Sequence, residues 1–212
     1  MDVISGVSMK IYAIVYLLIL IAIAFLVQVM INGFTDSFVL VSKEVLDRPW
    51  TLLTSIFLHG SASHLLSNVF ALIFFGLAVE GLLGSRKFIG IFLGAGLVAS
   101  VSSTFLYTAT LGASGAIFGI IGSLAFLRPK MAVYAFGIPM PMFAAVIMWA
   151  MLDFAGLFYP GNTANLAHLS GLIAGLAAGF MLRKEFREPP RKKEKPLKEK
   201  ELDEWEDEYM RS

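Results

Sequence analysis

No cysteine occurs among the 212 residues. That excludes disulfides, thiolate metal sites and cysteine nucleophiles. Charge is scarce as well. Asp, Glu, Lys and Arg make up 16% of the chain, against about 25% in soluble proteins. The charge that exists lies mostly at one end. Arg183 to Ser212 hold 20 of the 33 charges, which leaves 13 for the first 182 residues. So few charges cannot cover a water-soluble fold of that size. A hydrophobic content of 57% excludes a disordered chain. No basic patch outside the tail points to nucleic acid, and a net charge of +1 conceals the division between core and tail.

Familiar hydrolytic motifs are missing too. A zinc protease needs H-E-x-x-H or similar, but His59 and His64 are five apart with no Glu between them. An aspartyl protease needs two carboxylates sharing a site. Asp153 and Glu80 are predicted at opposite faces of the membrane. The G-x-S-x-G elbow of soluble hydrolases fails at its last position, where Ala116 stands.

What is present is long apolar sequence. Residues 11–35, 49–79, 88–127, 131–152 and 154–182 contain no Asp, Glu, Lys or Arg. About 20 apolar residues cross a bilayer. The stretches predict an all-α polytopic membrane protein with six spans, at about 11–31, 63–83, 88–107, 114–127, 132–152 and 165–182. The first is too long for a signal peptide and has no small-residue cleavage pattern, so it is expected to be retained. The fourth has only about 14 residues, so its outer end should lie below the lipid surface, enclosed by other helices. Lys10, Arg86, Lys87, Arg128, Lys130 and the tail fall on one side of such a topology, with only Lys43 and Arg48 on the other. The basic side is expected to be cytoplasmic, with both termini inside.

Polar side chains inside spans are costly and mark function or a satisfied contact. His59, His64 and Asn68 come before and within the start of the second span. Ser114 opens the fourth, within Gly112-Ala113-Ser114-Gly115, and His168 lies near the start of the sixth. These spans all run inward, so their first residues share the outer side. Any one of these residues has a bland reading. A lone Ser bonds back to a carbonyl, and an Asn links two helices. Their coincidence at one depth is harder to explain that way. Gly115, Gly119 and Gly122 share a face of the fourth helix. His168, Gly171, Gly175 and Gly179 share a face of the sixth. Glycine faces allow close backbone approach, which a short Ser–His distance requires.

A serine hydroxyl becomes a nucleophile when a base takes its proton. His168 is the expected base, and then the acid for the leaving amine. The nearest carboxylate, Asp153, falls at the end of the fifth span, so the sequence reads as a Ser114–His168 dyad and not a triad. Asn68, a ring N–H of His64 and the backbone N–H of Ser114 are candidate oxyanion donors.

Residues 48–182 closely resemble the rhomboid family of intramembrane serine proteases. The family's second-span signature appears as His59, His64 and Asn68. Its G-x-S-G appears as Gly112 to Gly115, and its A-H-x-x-G-x-x-x-G as Ala167, His168, Gly171 and Gly175. Gly76 and Glu80 match its G-x-x-x-E. The resemblance implies a six-helix bundle and a membrane-associated first loop, about 36–63. It implies nucleophile Ser114, base His168 and oxyanion donors His64 and Asn68. His59, Gly112, Gly115, Phe118 and Gly171 would support them. Substrates would be single-span membrane proteins, admitted past a mobile fifth helix and a loop of about 153–164. No metal, nucleotide or other cofactor is implied. A prokaryotic plasma membrane suits so compact a form. The sequence departs from many members at two points. Trp50 is followed by Thr51, with Arg48 two residues before Trp50, and the aromatic four residues after the nucleophile is Phe118.

Residues 1–182 thus read as one membrane domain. Residues 183–212, with 10 basic and 10 acidic residues, read as a solvated cytosolic tail whose basic half suits anionic lipid. Two other functions compete with proteolysis. One is a proteolytically silent protein that binds membrane clients. The other is a small transporter relaying protons through His168, although no inverted repeat supports it.

Overall fold

The computed structural model describes residues 13–159, 161, 163–184 and 210. Nearly all of the predicted tail therefore lies outside the described residues. Among the described residues, four helices are long and apolar enough to cross a membrane: α1 (Ala13–Met30), the rod Ala62–Leu83, α6 (Ser85–Ser103) and α9 (Asn165–Leu182). The rod consists of α4 (Ala62–Ala71), a π turn (Leu72–Gly76) and α5 (Leu77–Leu83). Two shorter apolar helices complete the bundle, α7 (Ser114–Leu127) and α8 (Met142–Gly156). The chain is a polytopic membrane bundle of the kind its composition predicts.

Lipid is as apolar as the helix surfaces, so apolar burial adds little in a bilayer. Close packing and hydrogen bonds must hold the helices together. Both are present. Helix α7 buries eleven of its 14 residues, which makes it the central helix and explains how one so short is accommodated. It packs on α9 along the two glycine faces. A Cβ at Gly171 would collide with the Gly115 carbonyl oxygen, and one at Gly175 with that of Gly119. Ile120 and Leu124 of α7 fill the interior together with Ile14, Leu72, Phe88 and Phe92.

The buried Glu80 ties α1 to the rod. Its carboxylate accepts from the backbone N–H groups of Ala13 (2.6 Å) and Ile14 (3.0 Å) and from Ser85 Oγ (2.5 Å). Amide donors at a helix start lack intrahelical partners, and a negative charge also suits the positive end of the dipole.

The first loop is built of short pieces: α2 (Phe34–Phe38), β1 (Leu40–Val41), α3 (Thr51–Thr54) and two 3₁₀ turns, Ser42–Glu44 and Ser55–Phe57. Strand β1 pairs antiparallel with β2 (Ala109–Thr110), Leu40 opposite Thr110. The pairing fastens the loop to the segment that leads into α7. Arg48 clamps it from within, donating to Glu44 Oε2 (2.6 Å) and to the Asp36 carbonyl (2.5 Å).

The fifth predicted span requires correction. Residues 132–141 are a hairpin, β3 (Ala132–Ala135) with β4 (Ile138–Pro141), and the helix begins only at Met142. Phe136 (φ 56°) and Gly137 (φ 76°) form its two-residue turn, the conformation a tight hairpin demands. Absence of charge does not separate strand from helix. Pro139 and Pro141 disfavour an uninterrupted helix there. Helix α8 also runs past Asp153 to Gly156, so the expected loop of 153–164 starts later than its charge suggests.

Candidate active site

Three helix starts meet at one end of the bundle, around a cavity of about 900 Å³ lined by His64, Asn68, Tyr107, Ser114, Phe118 and His168, among others. Each of these helix starts is fixed locally. Ser61 caps α4, its Oγ accepting from the His64 backbone N–H at 3.1 Å. The cap sets His64 in the first turn and Asn68 one turn further on. Gly112 turns the chain into α7 with φ 125°, a region that favours glycine. A Cβ there would also lie 2.7 Å from His64 Cε1. Gly112 donates its backbone N–H to the Ser55 carbonyl (2.9 Å), so the first loop braces the turn. Helix α9 starts under Tyr107, whose hydroxyl accepts from the Leu166 N–H (3.0 Å).

The result brings Ser114 Oγ within 2.8 Å of His168 Nε2, from residues 54 apart in sequence. Phe118, one turn beyond Ser114, stacks on the imidazole with centroids 4.3 Å apart and planes 8° from parallel. Asn68 is buried, and its Nδ2 has no hydrogen-bond partner among the described residues. A buried donor of this kind is costly unless something else accepts from it. His59 is buried behind His64, its ring edge-on at 5.1 Å. The N–H of His59 donates to Gln28 Oε1 (2.9 Å), which anchors it to α1. Burial first, and the neighbouring His64 second, push the His59 imidazole down to about 4. It therefore stays neutral at ordinary pH.

The structure departs from the sequence reading at one atom pair. Asp153 Oδ1 lies 3.0 Å from His168 Nδ1. A carboxylate does stand beside His168, because α8 carries Asp153 inward on its last turns instead of ending before it. The signal for it was Asp153's isolation as the one charge between Lys130 and Arg183. The expected residues Ser114, His168, His64, Asn68 and Phe118 all border the same space, and Gly112 lies against the His64 ring. Gly115 and Gly171 lie beneath it in the α7–α9 contact, and His59 stands behind. Among the described residues no group of three or more His, Asp or Glu is arranged to hold a metal ion.

Comparison with known proteins bears on this arrangement. The family model described as "Rhomboid domain" matches residues 46–185. The chain is 36% identical over 137 residues to rhomboid protease GluP of Bacillus subtilis, covering 63% of this chain and 26% of that protein. It is 27% identical over 164 residues to the mitochondrial rhomboid protein 1 of Saccharomyces cerevisiae, covering 71% of this chain and 47% of that protein. It is 28% identical over 133 residues to rhomboid protease GlpG of Haemophilus influenzae, covering 62% and 69%. The chain thus spans about a quarter of GluP and about half of the yeast protein.

Proposed function

The chain belongs to the rhomboid family, and on that premise we propose that it is an intramembrane serine endopeptidase using Ser114 and His168. The observation that carries this reading is the 2.8 Å contact between Ser114 Oγ and His168 Nε2 at the wall of a cavity in an apolar bundle. His168 Nε2 takes the proton as Ser114 Oγ attacks the scissile carbonyl. The oxyanion that forms accepts hydrogen bonds from Asn68 Nδ2, a ring N–H of His64 and the backbone N–H of Ser114. The last belongs to the first residue of α7, where the dipole is positive. Protonated His168 then donates to the leaving amine. Water from the cavity attacks the acyl-enzyme, with His168 again taking the proton. Phe118 holds the ring in plane throughout.

Substrates are single-span membrane proteins, cut near small or helix-breaking residues. The two short helices α7 and α8 complete six spans, with both termini cytoplasmic and the site opening to the far side of a plasma membrane. The concentration of Lys and Arg at Arg86, Lys87, Arg128 and Lys130 supports that orientation.

The test is a fluorophosphonate probe together with a transmembrane substrate. The probe labels Ser114 and no other serine, and folded Ser114→Ala and His168→Ala each lose cleavage. Substantial cleavage by folded Ser114→Ala overturns the proposal.

A further inference from the structure

We infer that Asp153 is a positioning residue for His168, so that this chain works with a third member that its sequence conceals. The inference rests on the serine-protease reading above and adds a role within that site.

The geometry constrains both ring nitrogens. Asp153 Oδ1 is 3.0 Å from Nδ1 and Ser114 Oγ is 2.8 Å from Nε2. A carboxylate only accepts, so Nδ1 carries the proton and donates to Asp153. Nε2 is then left with a lone pair, which accepts the Ser114 hydroxyl. The opposite tautomer would leave the carboxylate facing a second acceptor and would present an N–H to the nucleophile. When His168 gains a proton during attack, the same carboxylate faces the charged ring. The pair is sheltered, with the side chains of His168 and Asp153 13% and 9% exposed, so their interaction is little weakened by water.

The surroundings of Asp153 favour this role over a chance contact. In the outer half of α8, from Trp149 onward, Asp153 is the only buried residue, while Met151, Leu152 and Phe154 face outward. A carboxylate buried on an otherwise lipid-facing segment needs a partner, and its partner is the base. Gly156, one turn on, has no room for a side chain: a Cβ there would meet Asn165 Nδ2 at 2.5 Å. The end of α8 is therefore seated directly on the start of α9, which aims Asp153 at the ring.

The decisive variants are Asp153→Asn and Asp153→Ala, each assayed for kcat and KM on a transmembrane substrate and for the rate of fluorophosphonate labelling. An amide has the carboxylate's shape, and a purely structural hydrogen bond would survive in Asp153→Asn. The amide is neutral, however, and offers Nδ1 a donor as readily as an acceptor, so it neither fixes the Nδ1–H tautomer nor sets a negative charge against the protonated ring. Asp153→Asn is expected to melt like the parent and to keep its KM. Both kcat and the labelling rate are expected to fall by about 10- to 100-fold, as far as in Asp153→Ala. Parent-like kcat in Asp153→Asn overturns the inference. If neither variant folds, the unaltered protein decides. With ¹⁵N-labelled histidine, His168 is expected as the Nδ1–H tautomer, and an Nε2–H tautomer overturns the inference. The two readings fail separately. Active Ser114→Ala sinks the protease assignment and this inference with it. Inactive Ser114→Ala alongside parent-like Asp153→Asn removes the positioning role alone.

Discussion

The His64 ring fills the space that a side chain at position 112 would need: a Cβ on Gly112 would lie 2.7 Å from His64 Cε1 and 3.0 Å from its Nε2. The two backbones are fixed, so the ring must turn aside: Gly112 is held by Ser55, and the backbone of His64 is set in the first turn of α4 by the Ser61 cap. Gly112→Ala combines this overlap with a left-handed backbone. It is expected to push His64 away from Ser114 and to lower kcat by about 100-fold, the range for losing one oxyanion donor. Kinetics on folded, monodisperse protein measure it. Unchanged kcat would remove His64 from the donor set.

Gly171→Ala presses a methyl group into the Gly115 carbonyl. Overpacking of this kind typically costs about 1–3 kcal/mol, and here it also separates the helices that carry Ser114 and His168. Lower thermal stability and slower probe labelling are expected together. A variant that loses stability yet labels at the parent rate would show that the Ser–His distance does not depend on this contact.

Glu80→Ala leaves the Ala13 and Ile14 amides without their acceptor. Each orphaned buried donor costs about 1–3 kcal/mol, so the melting temperature is expected to drop. The α7–α9 pair is untouched by this change. Labelling of Ser114 per folded molecule is therefore expected to stay at the parent level, and a large fall would link α1 to the site.

His59 makes stability depend on pH. Its ring, held at about 4 when folded, titrates near 6.5 once unfolded. Between those values the unfolded chain binds a proton that the folded one refuses. The stabilising contribution is thus complete above about pH 6.5 and declines as the pH falls toward 4. His59→Phe keeps a ring and loses the titration. Its melting temperature is expected to vary less between pH 6.5 and 5 than the parent's. Equal slopes in the two proteins would assign the dependence to other groups.

Much of the bundle was legible because a bilayer leaves so few options for polar groups. Ser114, His168, His64 and Asn68 stood out against apolar surroundings, and the glycine spacings on α7 and α9 announced the close contact between them. The limit of that logic lies in residues 132–141. A charge-free stretch counts as span by hydropathy, yet Gly137, Pro139 and Pro141 turn it into a hairpin. Asp153 was misjudged for a related reason. A charge was taken to end a span, whereas this one is buried inside a helix against an imidazole. Which way a side chain points around a helix depends on what packs beside it, and a single sequence does not list its neighbours.

The contact between Gly115 and Gly171 has a mechanical meaning beyond proximity. Two backbones that touch without side chains between them have no soft layer to compress or shear, so Ser114 and His168 travel as parts of one stiff body. Asp153 stands on α8, which meets the start of α9 where Gly156 faces Asn165 and where its own carboxylate faces His168. A change in the tilt of α8 would leave Ser114 and His168 in register while moving Asp153 away from the ring. On the proposed mechanism, the serine and the imidazole owe their register to the α7–α9 contact, and the carboxylate beside the ring owes its place to how α8 packs against α9.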